Sequence, residues 1–341
     1  MPKNIHDFAV VVGVSHYKIL QKLDGPERDA NLFLEWLKDE NGGNLPEENC
    51  YLLLSHIDNT KPIQDMIDDC FEEILEQVLV TPGRRLYFFF SGHGIGVEWD
   101  ATALILPKWT EVRRDYALSG KGYQNRLMKY GAFQQIFFFL DCCRNTRPSV
   151  QGADPQFNPI ANLLNTRRSP SYIYSATEFG NKAYEADNLQ GNATLPDDTK
   201  TQGLFTSSLL KGLKGAAEID GNITTKSLSD YLSREVPPLA LEKANVIQKP
   251  HFIPSHTDIE TVILDNIAPK IIELKIFFMT DGLNIVLKTP EAEIIRHVSS
   301  STEPWILNVK KGLYIIYNEE DVTTLKPIQI DGILNIVHHE Y

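Results

Sequence analysis

The chain has 341 residues, which is longer than one average domain and suits one large domain followed by a small one. With 42% hydrophobic and 23% charged residues, it has the composition of an ordinary globular protein with enough apolar material for a core. The 33 basic and 45 acidic residues give a net charge of −12, which argues against nucleic acid and anionic membrane surfaces as partners.

No secretory signal is visible, and no apolar run is long enough to span a bilayer. We therefore expect a cytoplasmic protein without a membrane partner. The four cysteines, Cys50, Cys70, Cys142 and Cys143, form no CxxC pair, so neither a disulfide framework nor a zinc site is predicted. We expect no metal and no cofactor.

The first two thirds of the sequence alternate predicted strands and helices. Strands are expected at residues 9–14, 51–55, 85–92, 101–107, 136–143 and 171–176, and helices at 28–40, 63–78, 203–213 and 224–236. This order predicts an α/β fold with a mostly parallel sheet and helices on both faces. In such sheets, functional groups gather beyond the carboxyl ends of the strands.

The pattern changes near residue 264, after which short alternating runs are separated by turn signals such as DG, TPE and KKG. Strands are expected at residues 271–278, 283–288, 292–298, 304–309, 313–318, 327–330 and 333–339. No helical stripe interrupts them. We assign residues 1–264 to the α/β domain and 265–341 to a small all-β sandwich.

Two of the predicted strands end in residues that suit peptide hydrolysis by a thiol. One strand runs into Ser91-Gly92-His93-Gly94, and another runs into Asp141-Cys142-Cys143-Arg144. A cysteine at a strand end presents its sulfur at the rim of the sheet, and its own N–H can face a developing oxyanion. A histidine at a neighbouring strand end can stabilise the thiolate and protonate the leaving amine.

Each of these residues also has an ordinary structural interpretation. A histidine in a glycine-rich turn is usually a loop residue, and a cysteine that ends an apolar strand is usually a core residue. Chemistry alone therefore leaves a thiol catalytic pair and a purely structural role both open.

The two motifs resemble those of caspase-like cysteine peptidases of the C14 type, in particular metacaspases and their bacterial relatives. The resemblance is carried by SGHG after an aromatic strand and by D-x-C about fifty residues later. Residues 9–33, 175–185 and 203–213 and the QKP at 248–250 are similar to the family in the same order. The resemblance covers roughly residues 6–262 and implies a caspase-like fold and a cysteine endopeptidase.

The resemblance also implies the roles of the site residues. The nucleophile of the family is the third residue of D-x-C, which is Cys143 and not Cys142. His93 is then its catalytic partner, and the N–H groups of Gly94 and Cys143 form the oxyanion hole.

The resemblance further implies the substrate class, a protein or peptide cut after Arg or Lys. Metacaspases carry Asp two residues before the nucleophile, here Asp141, and Asp29 and Ser91 are counterparts of two further pocket residues. Two carboxylates and a hydroxyl suit a guanidinium or ammonium group. Asp29 is alternatively a cap of the following helix, and Asp141 a carboxylate satisfied by backbone donors. Arg144 is a candidate to neutralise part of the pocket.

Regulation and activation are expected from the remaining segments. The loops at 146–168 and 187–202 are candidates for self-cleavage, at Arg147, Arg167 or Arg168, or for uncut surface loops. The C-terminal domain is loosely similar to prealbumin-like sandwiches, and we expect it to bind a protein partner or an activating ligand; a passive stabiliser is the alternative. Metacaspases often need calcium, but no segment resembles a dedicated calcium loop, so a calcium requirement is left open.

A different class of function is an inactive caspase-like scaffold that only recruits partners. Because such relatives usually lack the histidine or the cysteine, the presence of both His93 and Cys143 favours the peptidase.

Overall fold

The computed structural model describes residues 3–341 except 56, 80, 114, 148–149, 159–167, 188, 190–200, 256–259, 266, 268–270, 291 and 331–335. The chain divides into two compact units. Unit 1 consists of Met1–Ala217 and Ile223–Leu264, and unit 2 consists of Glu218–Asn222 and Asp265–Tyr341. Of the candidate self-cleavage sites, Arg167 lies outside the described residues, as do most of residues 187–202.

The elements of unit 1 alternate between strands and helices along most of the chain. In chain order they are β1 (Asp7–Gly13), α1 (Pro26–Lys38), β2 (Cys50–Leu54), α2 (Gln64–Gln77), β3 (Gly83–Ser91), β4 (Gly94–Glu98), β5 (Ala101–Ile105), β6 (Ala117–Ser119), α3 (Gly120–Tyr130), β7 (Phe133–Asp141), β8 (Ser171–Ser175), β9 (Glu185–Ala186), β10 (Gln202–Gly203), α4 (Leu204–Lys211), β11 (Ile223–Thr224), α5 (Thr225–Ala244), β12 (His251–Pro254) and β13 (Val262–Leu264).

The central sheet of unit 1 is mostly parallel, which confirms the predicted fold class. Its six strands lie in the order β12-β8-β7-β3-β1-β2, and only the edge strand β12 runs antiparallel to its neighbour. β5 instead joins β4 and β6 in a separate antiparallel sheet. Residues 99–100 connect β4 to β5 and residues 106–116 connect β5 to β6, and the described residues of neither connection form the crossover helix that usually joins parallel strands.

Helices cover both faces of the central sheet. On one face, alternate residues such as Val10, Phe88 and Phe138 form a buried cluster with apolar residues of α2 and α3. On the other face, Phe33 of α1 stacks on Phe89 with ring centroids 4.6 Å apart. Because successive strand residues point to opposite faces, the continuous apolar runs of β1, β3 and β7 supply both cores.

The parallel register brings the two motif-bearing strand ends together. Ser91, the last residue of β3, pairs with Asp141, the last residue of β7. His93 and Cys143 each follow two residues later in the sequence. The fold therefore places both predicted catalytic residues beyond the same edge of the sheet, on neighbouring strands.

Unit 2 is a small all-β sandwich, as predicted. Its strands are β14 (Ile272–Phe277), β15 (Asn284–Lys288), β16 (Ile294–Val298), β17 (Trp305–Val309), β18 (Gly312–Asn318), β19 (Asp321–Ile330) and β20 (Ile336–Glu340). They form one sheet in the order β17-β14-β20 and another in the order β16-β15-β18-β19. Buried residues of both sheets, such as Leu274 and Ile316, share one apolar cluster, which makes the two sheets a sandwich.

Candidate active site

A cavity of about 470 Å³ lies at the carboxyl ends of the central strands of unit 1. Its lining includes the six residues predicted to form the site: Asp29, Ser91, His93, Gly94, Asp141 and Cys143. A cleft of this size and position is where open α/β sheets bind ligands.

The His93 ring is held from two sides. Its Nε2 lies 2.8 Å from the carbonyl oxygen of Gln21. A carbonyl only accepts, so Nε2 carries the hydrogen and Nδ1 is the nitrogen left to exchange a proton. The backbone N–H of His93 donates to the Tyr17 hydroxyl at 2.7 Å, and the two rings pack with centroids 4.7 Å apart. Burial lowers the pKa of His93, and the Gln21 carbonyl and the Glu185 carboxylate oppose this change.

The Cys143 thiol faces the backbone of Ala183. The Ala183 N–H donates to Sγ at 3.4 Å, and Sγ lies 3.5 Å from the Ala183 carbonyl oxygen, to which the protonated thiol donates. Burial raises the pKa of Cys143, while the Ala183 N–H and the Lys182 ammonium act in the opposite direction. Burial thus favours the neutral thiol in the resting site and the neutral imidazole of His93.

The adjacent cysteine lies in a different environment. Cys142 is 2% exposed and belongs to the apolar cluster that contains Phe138 and Leu140. Cys143 is half-buried at the cavity. This alternation follows from the extended chain at the end of β7, where successive side chains point to opposite sides.

Gly94 begins β4 in close contact with the loop that carries the thiol. A Cβ at Gly94 would lie 2.5 Å from the Cys143 carbonyl oxygen and 2.6 Å from the Cys142 sulfur. Only glycine permits this approach, because real Cβ contacts are longer. The close packing brings the backbone of Gly94 next to the segment that carries the Cys143 thiol.

Asp29 is fully buried in the first turn of α1 and binds groups outside that helix. The Ser91 hydroxyl donates to its Oδ2 at 2.9 Å, and the Gly203 N–H donates to both carboxylate oxygens at 3.1 and 3.2 Å. The N-cap of α1 is Gly25, with no side-chain cap. The alternative that Asp29 caps the helix is therefore wrong.

Asp141 lies at the N-terminus of α4. Its Oδ2 accepts from the Thr206 N–H at 3.0 Å and from the Thr206 hydroxyl at 2.6 Å. A backbone donor therefore does bind this carboxylate, as the alternative interpretation of Asp141 proposed, and Asp141 also lines the cavity. The positive end of the helix dipole favours a negative charge at this position.

The two carboxylates form one acidic pocket around Gly203. A Cβ at Gly203 would clash with the Asp141 carboxylate and would lie 2.9 Å from Asp29 Oδ2. Burial and the neighbouring Asp141 charge raise the pKa of Asp29 well above its usual range. Burial also raises the pKa of Asp141, to about 6. Both carboxyl groups therefore keep their protons to a higher pH than an exposed aspartate does.

Glu185 adds a third carboxylate to the lining of the cavity. It accepts from the Asp24 N–H at 3.1 Å and the Gly25 N–H at 2.9 Å, and it pairs with Gly203 across β9 and β10. Its charge contributes to the raised pKa values of Asp29 and Asp141. This role of Glu185 was not predicted, although Glu185 ends a segment, residues 175–185, that resembles the family.

Arg144 does not reach the acidic pocket. The side chain is 1% exposed, and its guanidinium donates to Thr102 Oγ1 and to the carbonyls of Glu98, Trp99 and Thr177. The hypothesis that it neutralises the pocket is wrong, because the alternation of the chain directs it away from the Cys143 side. Arg147 does line the cavity, where its guanidinium packs 5.8 Å from the centroid of Trp109.

Comparison with known proteins identifies the family of unit 1. The sequence profile of the caspase domain, a C14 peptidase domain, matches residues 6–258. The chain belongs to the caspase domain family. This membership supports proteolysis as the activity of the fold, and it confirms the resemblance that the two motifs indicated.

Individual relatives agree with this family. The chain is 29% identical over 226 residues to a probable protease from a Desulfuromonadales bacterium. The aligned region covers 62% of this chain and 26% of the relative. The chain therefore spans about a quarter of that relative's length.

Two solved structures are similar to the caspase-domain chain. A protein from Geobacter sulfurreducens has a TM-score of 0.46 and 16% identity over 74% of this chain and 94% of its own. The structure of pro-Sf-caspase-1 has a TM-score of 0.43 and 13% identity over 73% and 87% of the two chains.

Two further properties concern the described part of the caspase-domain chain. Its His, Cys, Asp and Glu side chains form no group of three or more that could hold a metal ion. None of its helices is long and apolar enough to cross a membrane.

Proposed function

We propose that this caspase-domain protein is a cysteine endopeptidase that cleaves proteins after Arg or Lys, with Cys143 as nucleophile and His93 as its partner. One observation carries the proposal. A thiol, an imidazole and two buried carboxylates line a single cavity at the carboxyl ends of the parallel strands. We further propose that the enzyme is a bacterial peptidase of the metacaspase type.

The reaction begins from a neutral thiol and a neutral imidazole. The Cys143 proton passes to Nδ1 of His93 as Sγ attacks the carbonyl carbon of the scissile bond. The bond from Nε2 to the Gln21 carbonyl keeps the ring oriented and supports the imidazolium that forms. The N–H groups of Cys143 and Gly94 stabilise the oxyanion of the tetrahedral intermediate.

Collapse of this intermediate breaks the peptide bond. His93 gives its proton to the leaving amine, and the acyl group remains on Cys143 as a thioester. A water molecule then attacks the thioester with His93 as its base, which releases the acid product and restores the thiol.

The acidic pocket supports a basic side chain before the scissile bond. An arginine guanidinium or a lysine ammonium would pair with the Asp141 carboxylate, which is charged above about pH 6, and would favour loss of the proton from Asp29. Glu185 adds to the negative field. Arginine can bind carboxylates with two parallel hydrogen bonds, which favours it over lysine. An aspartate in this position would face like charges and is disfavoured.

We assign the activity to a reducing compartment, the cytoplasm, because the mechanism needs a free thiol and Cys50, Cys70, Cys142 and Cys143 are all unpaired. The proposed mechanism uses no cofactor. We further propose that unit 2 regulates the peptidase by binding a protein partner or an activating ligand.

The test is an assay with fluorogenic peptides that carry Arg, Lys or Asp before the reporter group. Wild type should cleave the Arg and Lys peptides, and Cys143→Ala and His93→Ala should abolish turnover. Cys50→Ala is a matched control, because Cys50 lies on the edge strand β2 and should not affect turnover. Turnover of the Asp peptide would refute the specificity, and activity in Cys143→Ala would refute the nucleophile.

Silence of the wild type towards all peptides, with a normal melting temperature, would favour the inactive scaffold or an unmet activation requirement. The regulatory proposal is tested by comparing the full chain with a chain ending at residue 264. Equal kcat and KM for two folded forms would contradict regulation by unit 2.

A further inference from the structure

Arg144 follows the proposed nucleophile and holds the segment that contacts the thiol. Its backbone N–H donates to the Asn181 carbonyl at 2.8 Å, and its own carbonyl accepts from the Gly180 N–H at 2.8 Å. Asn181 lies two residues before Ala183, whose N–H binds Cys143 Sγ. Displacement of Arg144 would therefore move both Cys143 and the backbone group that binds its sulfur.

The Arg144 side chain is a buried cation whose described partners are all neutral. Its Nε donates to Thr102 Oγ1 at 3.1 Å, and its terminal nitrogens donate to the carbonyls of Glu98, Trp99 and Thr177. A further bond joins Nη1 to Nδ1 of His251 at 3.0 Å. A buried charge depends on such bonds, because each unsatisfied donor in a dry site is costly.

The bond to His251 exists in one protonation state only. An arginine guanidinium always carries its protons and only donates, so His251 Nδ1 must present a lone pair. A proton added to His251 would sit on Nδ1, facing a guanidinium at hydrogen-bonding distance. The bond would then be lost and replaced by repulsion between two cations.

Other groups around His251 do not cancel this effect. The charged groups acting on it are Arg144, which opposes protonation, and Glu178, which favours it. Ser229 and Ser233 of α5, which line the same small cavity, carry no charge. The ring of Trp99 packs against His251 with centroids 6.2 Å apart. Burial lowers the pKa of His251, and the Arg144 charge lowers it further.

We propose that Arg144 is a positioning residue for Cys143 and that neutral His251 holds it in place, so that protonation of His251 loosens the nucleophile loop in acid. The catalytic part of this inference rests on the proposed peptidase function. The contact between Arg144 and His251, called the anchor below, is a property of the fold and can be tested without measuring turnover.

The variant His251→Asn keeps a hydrogen-bond acceptor for Arg144 but removes the group that titrates. The asparagine Oδ1 can take the place of Nδ1 as an acceptor, and it does not titrate. The ratio of kcat at pH 5 to kcat at pH 7.5 should be about three- to tenfold higher in His251→Asn than in wild type. The reason is that the fraction of neutral His251 falls by up to tenfold for each pH unit below its pKa, whereas asparagine does not titrate. His251→Ala should lower kcat at both pH values.

The exposed His6 supplies a matched control, and His6→Asn should keep the wild-type acid limb. The KM of the arginine peptide should change with pH to the same extent in all these variants, since the acidic pocket is untouched. An acid limb of kcat that is identical in wild type and His251→Asn would overturn the positioning role.

A second readout uses the inactive Cys143→Ala protein. The folded-state pKa of His251 is lowered, so its stabilising bond is present above the ordinary histidine pKa and is lost as the pH falls through the folded value. Between pH 7.5 and 5, the Tm of Cys143→Ala should fall by about 2–4 °C more than that of Cys143→Ala/His251→Asn.

Equal Tm losses would overturn the anchor. If wild type cleaves no peptide, this Tm comparison alone decides whether His251 and Arg144 form a pH-sensitive contact.

Discussion

Asp141→Asn is the substitution that most sharply tests the acidic pocket. The N–H and the hydroxyl of Thr206 both donate to Oδ2 of Asp141, so an oxygen acceptor is needed at this position. The asparagine amide must therefore turn its oxygen towards Thr206 and its NH₂ group towards the cavity. The change removes a negative charge and places a donor where the cationic side chain of the substrate needs an acceptor.

The size of the effect follows from the bond that is lost. A hydrogen bond to a charged group contributes about 1.5–3 kcal/mol, and about 1.4 kcal/mol corresponds to a factor of ten. We therefore expect kcat/KM for arginine peptides to fall by about 10- to 150-fold in Asp141→Asn. A peptide with citrulline, which has the shape of arginine without its charge, should lose much less.

The assay compares kcat/KM for arginine and citrulline peptides in three proteins at pH 8. Asp141→Asn should lower the ratio of the arginine value to the citrulline value by about tenfold or more. Asp68→Asn is the matched control, because Asp68 is also a buried carboxylate but binds Tyr123 and the Gln156 N–H in another part of unit 1. An arginine-to-citrulline ratio that stays at the wild-type value in Asp141→Asn would refute the assignment of the pocket.

Three further predictions concern the same cavity. Tyr17→Phe removes the acceptor of the His93 N–H, and we expect kcat to fall by roughly tenfold with little change in KM, because an unsatisfied buried donor costs about 1–3 kcal/mol; an unchanged kcat and Tm would contradict this. Gly203→Ala inserts a Cβ against the Asp141 carboxylate, so KM for arginine peptides should rise by at least about tenfold in a protein that circular dichroism shows to be folded. The raised pKa of Asp141, about 6, means that the carboxylate is charged above this pH and neutral below it. KM for arginine peptides should therefore rise as the pH falls through 6, and a flat KM would contradict the prediction.

Much of the fold follows from patterns that the sequence carries locally. The continuous apolar runs of β1, β3 and β7 indicate strands covered on both faces, and the structure places helices on both. The alternating runs after residue 264 likewise form the two sheets of unit 2. These patterns succeed because burial of one face or both dictates the spacing of apolar residues.

The meeting of His93 and Cys143 in one cavity also follows from sequence. Both residues come two positions after the last residue of a strand, and neighbouring parallel strands end at the same edge. Asp29 could be placed near them only through the resemblance to metacaspases, because α1 lies far from β7 in sequence.

Other parts of the site could not be predicted from the types of residue in the sequence. Gln21 and Ala183 act through backbone groups, which any residue type supplies. Glu185 reaches the cavity because β9 pairs with β10, and such two-residue strands are too short to show a period. The direction of the Arg144 side chain depends on where the carbonyls of Glu98 and Trp99 lie after folding, which no local pattern encodes.

The most direct test of the central claim is the site of covalent labelling by a peptidyl-arginine chloromethyl ketone, read by peptide mass mapping of the full chain. We predict a single adduct on Cys143, blocked by excess arginine peptide, and no adduct in His93→Ala on the same timescale. The matching aspartyl reagent should label the chain much more slowly. An adduct on Cys142, or equal labelling by the arginyl and aspartyl reagents, would contradict a thiol peptidase directed to basic residues.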